Sequence, residues 1–139
     1  MKESQEKIDL VIDAKDGIVG RLASYAAKQA LLGKNIAIVN CRQALLAGRK
    51  KNIVNEYLHA RELGGSSMKG PFFPKSSERI MKRTIRGMLD YTKGRGAAAF
   101  KRVMCYNDLP DEFKDSKKVS LIRPLRAKSM KLHDLEKVI

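Results

Sequence analysis

The chain has 139 residues, 43% of them hydrophobic, and a formal net charge of +14 at pH 7. This length can bury the core of one domain, so we expect a single domain over residues 1–139. No apolar run approaches the ~18 residues of a membrane helix. Residues 1–7 lack the apolar region of a signal peptide, so we expect an intracellular protein. Because a net charge this large destabilises the compact chain by self-repulsion, we also expect a polyanionic partner, and we favour nucleic acid over a membrane surface.

The first forty residues predict a strand, a helix and a second strand. The apolar, β-branched run 8–14 predicts a buried strand, and a helix over 18–32 follows a turn at Asp16. Gly33 ends this helix, and the run 36–40 predicts the next strand. Because the joints are short, the three elements imply a parallel crossover unit.

The next stretch contains a short element and a longer helix. Residues 42–46 predict either a turn of helix or a brief strand that ends at Gly48, and a helix over 49–63 follows. Three cations, Arg49, Lys50 and Lys51, lie at the start of that helix, where the helix dipole disfavours positive charge. They either serve a ligand or form a solvated basic start.

Residues 69–75 form a proline-stiffened segment that cannot be regular. Pro71 and Pro74 fix their own backbone and push the preceding residues away from helix. Phe72 and Phe73 are carried between them. Either ring could stack on an unpaired base, but we favour the packing of both rings on the protein.

A two-faced helix follows this segment. Ser76 or Ser77 is expected to cap it, with Glu78 at the positive end of its dipole. Apolar residues recur along one face up to Leu89, which indicates a buried stripe. The remaining surface carries four cations within eight residues: Arg79, Lys82, Arg83 and Arg86. A solvated basic face is the alternative to a binding surface.

The rest of the chain predicts shorter elements. A mobile basic loop over 93–96 and a helical turn over 97–102 precede a strand over 103–106. After a surface turn the pattern weakens, with an extended stretch near 119–122 and a short helix over 130–139. This order predicts an α/β domain of three layers with a small, mainly parallel sheet.

Enzyme and metal motifs are absent from the sequence. The helix after the first strand lacks the Gly-x-Gly start of a dinucleotide site, and no phosphate-binding loop or nucleophile elbow occurs. Cys41 and Cys105 are expected to be buried thiols, and His59 and His133 lack neighbouring ligands. We therefore expect no enzyme, metal, cofactor or small-molecule substrate.

The positive charge is concentrated in one quarter of the chain. Residues 69–102 hold ten basic and two acidic side chains, a net charge of +8. Electrostatic docking on folded RNA would use arginines as bidentate phosphate donors, and Gly94 and Gly96 would let the backbone approach. The candidate RNA-binding residues are Arg42, Arg49, Lys50, Lys51, Lys69, Lys75, Arg79, Lys82, Arg83, Arg86, Lys93, Arg95, Lys101 and Arg102.

Three stretches carry a resemblance to a known family. They are Gly20-Arg-Leu-Ala-Ser24, Ile38-Val-Asn40 with Leu46-Ala-Gly48, and Lys69-Gly-Pro-Phe-Phe-Pro74 with Arg79-Ile80 and Arg83-Thr-Ile-Arg-Gly-Met-Leu89. Over about residues 8–110 the chain resembles the universal large-subunit ribosomal protein thirteen family, in its archaeal and eukaryotic branch. Ser76 and Ser77 stand where members of this branch often carry basic and proline residues.

The resemblance implies an α/β/α fold around a four-stranded sheet. It also implies a structural, cytoplasmic component of the ribosome that binds large-subunit RNA, contacts neighbouring ribosomal proteins and supports assembly. The segment after Lys114 matches loosely and lacks the long helical extension of eukaryotic members, so we expect an archaeal-type protein. A free RNA-binding regulator of its own or other messages is the alternative, and the same basic face would serve it.

Overall fold

Six strands and five helices make up the computed structural model, which describes residues 8–63, 73–122 and 128–139. The strands are β1 (Leu10–Asp13), β2 (Ile36–Val39), β3 (Leu45–Ala47), β4 (Val103–Cys105), β5 (Lys118–Ser120) and β6 (Ser129–Lys131). The helices are α1 (Val19–Leu31), α2 (Lys50–Glu62), α3 (Ser77–Gly87), α4 (Gly94–Lys101) and α5 (Leu132–Val138), and 3₁₀ turns span Cys41–Gln43 and Asp111–Phe113.

Four short strands form a parallel sheet in the order β4-β2-β1-β5. In the register, Val11 of β1 pairs with Ala37 of β2 and with Lys118 of β5, while Ile38 of β2 pairs with Cys105 of β4. The two central strands are almost wholly apolar because both of their faces are covered. The predicted α/β class with a small, mainly parallel, four-stranded sheet is confirmed.

The two faces of the sheet are covered differently. Ile12, Ile36 and Ile38 point into the larger core, where the alanine-rich face of α1 packs with α3 and α4. The small alanines allow α1 to lie close to its neighbours. On the opposite face Val11, Ala37 and Val39 cluster with Phe113 of the second 3₁₀ turn. The helices that carry the candidate site therefore lie on the larger core.

Several predicted boundaries agree with the structure to within one or two residues. Gly33 follows α1 with a φ of +94°, the left-handed conformation that glycine adopts without strain. The stretch 42–48 contains both of the predicted alternatives, a 3₁₀ turn and then β3. The antiparallel partner of β3, β6, was not predicted, since only Met130 of its three residues is buried.

The prediction of a mobile basic loop over 93–96 is wrong. Helix α4 begins at Gly94 and includes Gly96, because the alanines that follow have high helix propensity. Gly96 is buried, and a Cβ atom there would overlap the backbone carbonyl of Asp90. The missing side chain therefore allows two protein segments to meet, which is a different role from the predicted approach to RNA.

Candidate nucleic-acid interface

Helix α3 has one apolar face and one cationic face. Ile80, Met81 and Ile85 are at most 3% exposed and pack in the larger core. The four cations lie at positions i, i+3, i+4 and i+7, which a helix brings to one side. We call this surface the basic face of α3, and it consists of Arg79, Lys82, Arg83 and Arg86. Arg79 is exposed and the other three side chains are partly buried.

The start of α3 is fixed by side chains from distant parts of the chain. Ser76 has the extended backbone of a helix cap but makes no side-chain capping bond. Instead, the backbone N–H of Glu78 donates to Oδ1 of Asn107 at 2.9 Å, and Nδ2 of Asn107 donates to Oγ of Ser76 at 3.3 Å. The fully buried Ser77 donates to Oε2 of Glu136 at 2.8 Å. Ser76 therefore occupies the predicted cap position, but the acceptor oxygen comes from Asn107 and not from a serine side chain.

We expect Asn107→Ala to lower the free energy of unfolding by about 1 kcal/mol, the usual cost of losing a helix N-cap acceptor. Chemical denaturation followed by circular dichroism measures this change. Asn107→Asp keeps an acceptor oxygen beside the positive helix end, so it should retain most of the stability. Equal destabilisation by both substitutions would contradict a capping role for the Asn107 oxygen.

Aromatic rings hold three of the four cations on the basic face of α3. An aromatic ring within about 6 Å attracts a cation electrostatically but does not neutralise its charge. The pairs are Lys82 Nζ with the Phe100 ring centroid at 5.0 Å, Arg83 Cζ with Phe73 at 3.9 Å, and Arg86 Cζ with Tyr91 at 4.8 Å. These side chains are thus positioned in advance while they keep their full positive charge.

The basic face has no carboxylate partner within the described ranges. The ion pairs found among the described residues join Arg42 to Asp108 and Glu136, and Lys114 to Asp111. None of them involves α3. The four positive charges of the basic face therefore remain uncompensated by ion pairing in this part of the chain, which favours an external anion over an internal one.

Three of the predicted RNA-binding arginines make hydrogen bonds or ion pairs within the protein. Arg42 lies 3.3 Å from Asp108 and 4.0 Å from Glu136, and its Nε atom is buried. Arg95 and Arg102 donate to the last carbonyl groups of α1, at 3.4 Å and 3.0 Å respectively. Cations at a helix C-terminus satisfy these carbonyls and oppose the negative end of the dipole. These three arginines have structural partners that the sequence pattern does not indicate.

The remaining candidates are exposed lysines and one arginine. Arg49 lies just before α2, and Lys50 and Lys51 lie in the first turn of that helix. These three cations therefore form a separate group at the start of α2. Lys75, Lys93 and Lys101 flank α3 and α4 and are also exposed. Lys69 lies outside the described residues, as does Phe72.

Arg61 was missed in the sequence interpretation. Its Nη1 atom donates to the backbone carbonyl of Phe73 at 2.9 Å, and the ring of Phe73 also contacts Arg83. The last turn of α2 therefore adds a cation beside the basic face. The contact between the end of α2 and Phe73 brings Arg61 there, and no local sequence pattern indicates that contact.

A groove of about 260 Å³ separates α2 from α3. Glu56, Tyr57 and Ala60 of α2 line one side. Burial, and secondarily the Glu56 carboxylate, raise the pKa of Tyr57 above its usual value, so its hydroxyl is protonated at neutral pH. The other side is lined by Phe73, Pro74, Ile80, Arg83 and Thr84. Arg83 thus belongs to both the groove and the basic face.

The two cysteines are free thiols, of which Cys41 is buried, as predicted, and Cys105 is only partly buried. A hydrogen bond with the Cys105 thiol, followed by burial, raises the pKa of Cys41 far above its usual value. Across the described ranges, no cluster of three or more His, Cys, Asp or Glu side chains could hold a metal ion. Within the same ranges no helix is both long enough and apolar enough to cross a membrane.

Comparison with known proteins gives consistent matches. The family model for ribosomal protein L13 matches residues 7–112. The chain is 46% identical over 112 residues to the large ribosomal subunit protein uL13 of Methanosarcina barkeri, covering 80% of this chain and 79% of the relative. It is 43% identical over 111 residues to uL13 of Methanococcoides burtonii (80% and 79%) and 42% identical over 106 residues to uL13 of Haloarcula marismortui (76% and 72%).

Proposed function

The chain belongs to the ribosomal protein L13 family of the large ribosomal subunit, in an archaeal-type form. From this premise we propose that it binds large-subunit ribosomal RNA through the basic face of α3. In this role it is a structural component, without catalytic activity or cofactor, that supports assembly of the subunit in the cytoplasm. Its partners are ribosomal RNA and the neighbouring ribosomal proteins.

The observation that carries this proposal is the set of preorganised cations on α3, which have no carboxylate partner among the residues that the structure describes. Phe73 and Tyr91 hold Arg83 and Arg86 in place, so these guanidinium groups need little further ordering before they bind. A planar guanidinium can donate two hydrogen bonds to one phosphate, whereas Lys82 acts as a point charge. Folded RNA is recognised mainly through its shape and phosphates, which suits a rigid cationic helix face.

The other candidates divide by their partners in the protein. Lys75, Lys93 and Lys101 are exposed and extend the positive field around α3 and α4. We assign Arg49, Lys50 and Lys51 to a second contact at the start of α2. Arg42, Arg95 and Arg102 contribute charge, but their described contacts lie within the protein, and Lys69 stays a prediction.

Co-sedimentation separates a ribosomal component from a free regulator of messages. Large subunits are purified through a sucrose cushion at high salt, and the chain is quantified in the subunit and free fractions. We expect near-stoichiometric retention in the subunits, since a component held at several RNA contacts dissociates slowly. Recovery only in the free fraction would contradict the proposal and favour the regulator.

A further inference from the structure

We propose that the groove between α2 and α3 binds a single unpaired RNA base. This inference rests on the proposed function and adds a specific contact to it. The basic face of α3 explains affinity for phosphates, but it does not explain why an aromatic-lined groove opens directly beside Arg83. A base inserted there would fix the register of the RNA on the protein.

The lining of the groove suits a planar aromatic ligand. Tyr57 lies on one side, and Phe73 and Ile80 lie on the other. The volume of about 260 Å³ is close to the lower limit of small-ligand sites, which is roughly 300 Å³. It therefore suits one base rather than a helix of a partner protein or an RNA duplex. Stacking on aromatic rings and arginine planes is the usual way in which proteins hold unpaired bases.

The polar groups of the groove can read a base edge. A carboxylate such as that of Glu56 offers only acceptor oxygens, and the hydroxyl of Tyr57 can donate or accept. A carboxylate accepts hydrogen bonds from exocyclic amino groups, which adenine, cytosine and guanine carry and uracil lacks. These edges are accessible only when the base is unpaired. The groove should therefore prefer an amino-bearing base over uracil.

The charge around the groove favours RNA over a peptide. Arg83 forms part of its wall, and Arg61 is tied to the backbone of Phe73 beside it. Neither guanidinium has a carboxylate within ion-pair distance in the described segments. An RNA strand whose phosphates contact the basic face would pass the mouth of the groove. An apolar peptide would leave these cations without an anion.

The test uses the full-length chain and short single-stranded oligoribonucleotides of adenosine and of uridine. Binding is measured by fluorescence anisotropy across a series of salt concentrations. We expect wild type to bind oligo(A) about tenfold more tightly than oligo(U), in line with one good base-edge contact. Ala60→Phe fills the groove without altering any charge, so it should abolish this preference and leave the salt dependence unchanged.

The matched control is Asn55→Phe, which adds the same ring to α2 at an exposed position outside the groove. It should keep the preference. Circular dichroism verifies that each variant is folded. If Ala60→Phe does not fold, the smaller substitution Ala60→Leu is used instead. Retention of the full preference in a folded groove-filled variant would overturn the inference and leave the proposed function intact. Absence of salt-dependent RNA binding by wild type would overturn both.

Photocrosslinking provides an independent readout of the same site. Oligoribonucleotides that contain 5-iodocytidine are irradiated with the wild-type chain, and the adducts are mapped by mass spectrometry. Adducts on Tyr57 or Phe73 support the inference. Adducts confined to aromatic residues outside the groove, such as Tyr91 and Phe100, would overturn it.

Discussion

Replacing Arg79, Arg83 and Arg86 together by alanine lowers the affinity for large-subunit rRNA by at least about a thousandfold near 0.1 M salt, because each of the three lost charged contacts is worth about 1.5–3 kcal/mol. The salt dependence should change as well. The slope of log K against log salt should become shallower by about 2–3, since each neutralised phosphate contributes roughly 0.7–0.9. A filter-binding or anisotropy titration over several salt concentrations measures both quantities.

A charge-matched control separates the basic face from the overall charge. Replacing Lys15, Arg21 and Lys117 by alanine removes the same three charges from exposed positions outside the candidate set. This control should change the slope little, because screening weakens the effect of charges that lie more than about 8–10 Å from the RNA. Equal slopes for the two triple variants would contradict the assignment of the basic face to RNA.

Gly96→Ala should destabilise the chain by about 3 kcal/mol or more, because the new methyl group would overlap the backbone carbonyl of Asp90. A backbone atom cannot rotate away as a flexible side chain can. The helix α4 or the turn after α3 must therefore shift, and both border the core. Thermal and chemical denaturation of the purified variant measure the loss.

Gly94→Ala is the matched control within the same helix. A Cβ at position 94 meets no atom within 4 Å, and the residue lies in the first turn of α4. Alanine there restricts the unfolded chain and should be neutral or stabilising by about 0.4–1 kcal/mol. Equal effects of the two substitutions on stability would contradict the packing role of Gly96.

Regular elements with strong hydrophobic periodicity could be predicted from the sequence. The strand, helix and strand within residues 8–40 and the buried stripe of α3 follow from the spacing of apolar side chains. The same spacing placed the four cations of α3 on one face. The loose C-terminal pattern still indicated an extended stretch and a short helix, which the structure contains as β5 and α5.

Features that depend on distant residues could not be predicted in this way. The cap of α3 comes from Asn107, about thirty positions away, and the partner of Lys82 is Phe100. Arg102 looks like one more basic residue in a charge-rich stretch, yet it donates to the end of α1. Tertiary packing makes these pairs, and local propensity or charge counts carry no information about them.

The glycine pair in α4 illustrates the same limit for backbone geometry. Both residues stand in a Lys-Gly-Arg-Gly sequence that is typical of a basic loop, but only Gly96 is in contact with another segment. The local composition favoured a loop because glycine is a poor helix former. Any side chain at position 96 would overlap the backbone of Asp90, so this position of α4 requires glycine although glycine is a poor helix former.

A cryo-electron microscopy structure of the large ribosomal subunit that contains this chain tests most directly whether the basic face of α3 binds rRNA. We predict density that places the guanidinium groups of Arg79, Arg83 and Arg86 within hydrogen-bonding distance of rRNA phosphates, with Phe73 and Tyr91 still stacked on Arg83 and Arg86. A structure in which this face of α3 points to solvent, or is covered by another protein with no phosphate within reach, would contradict the proposed interface.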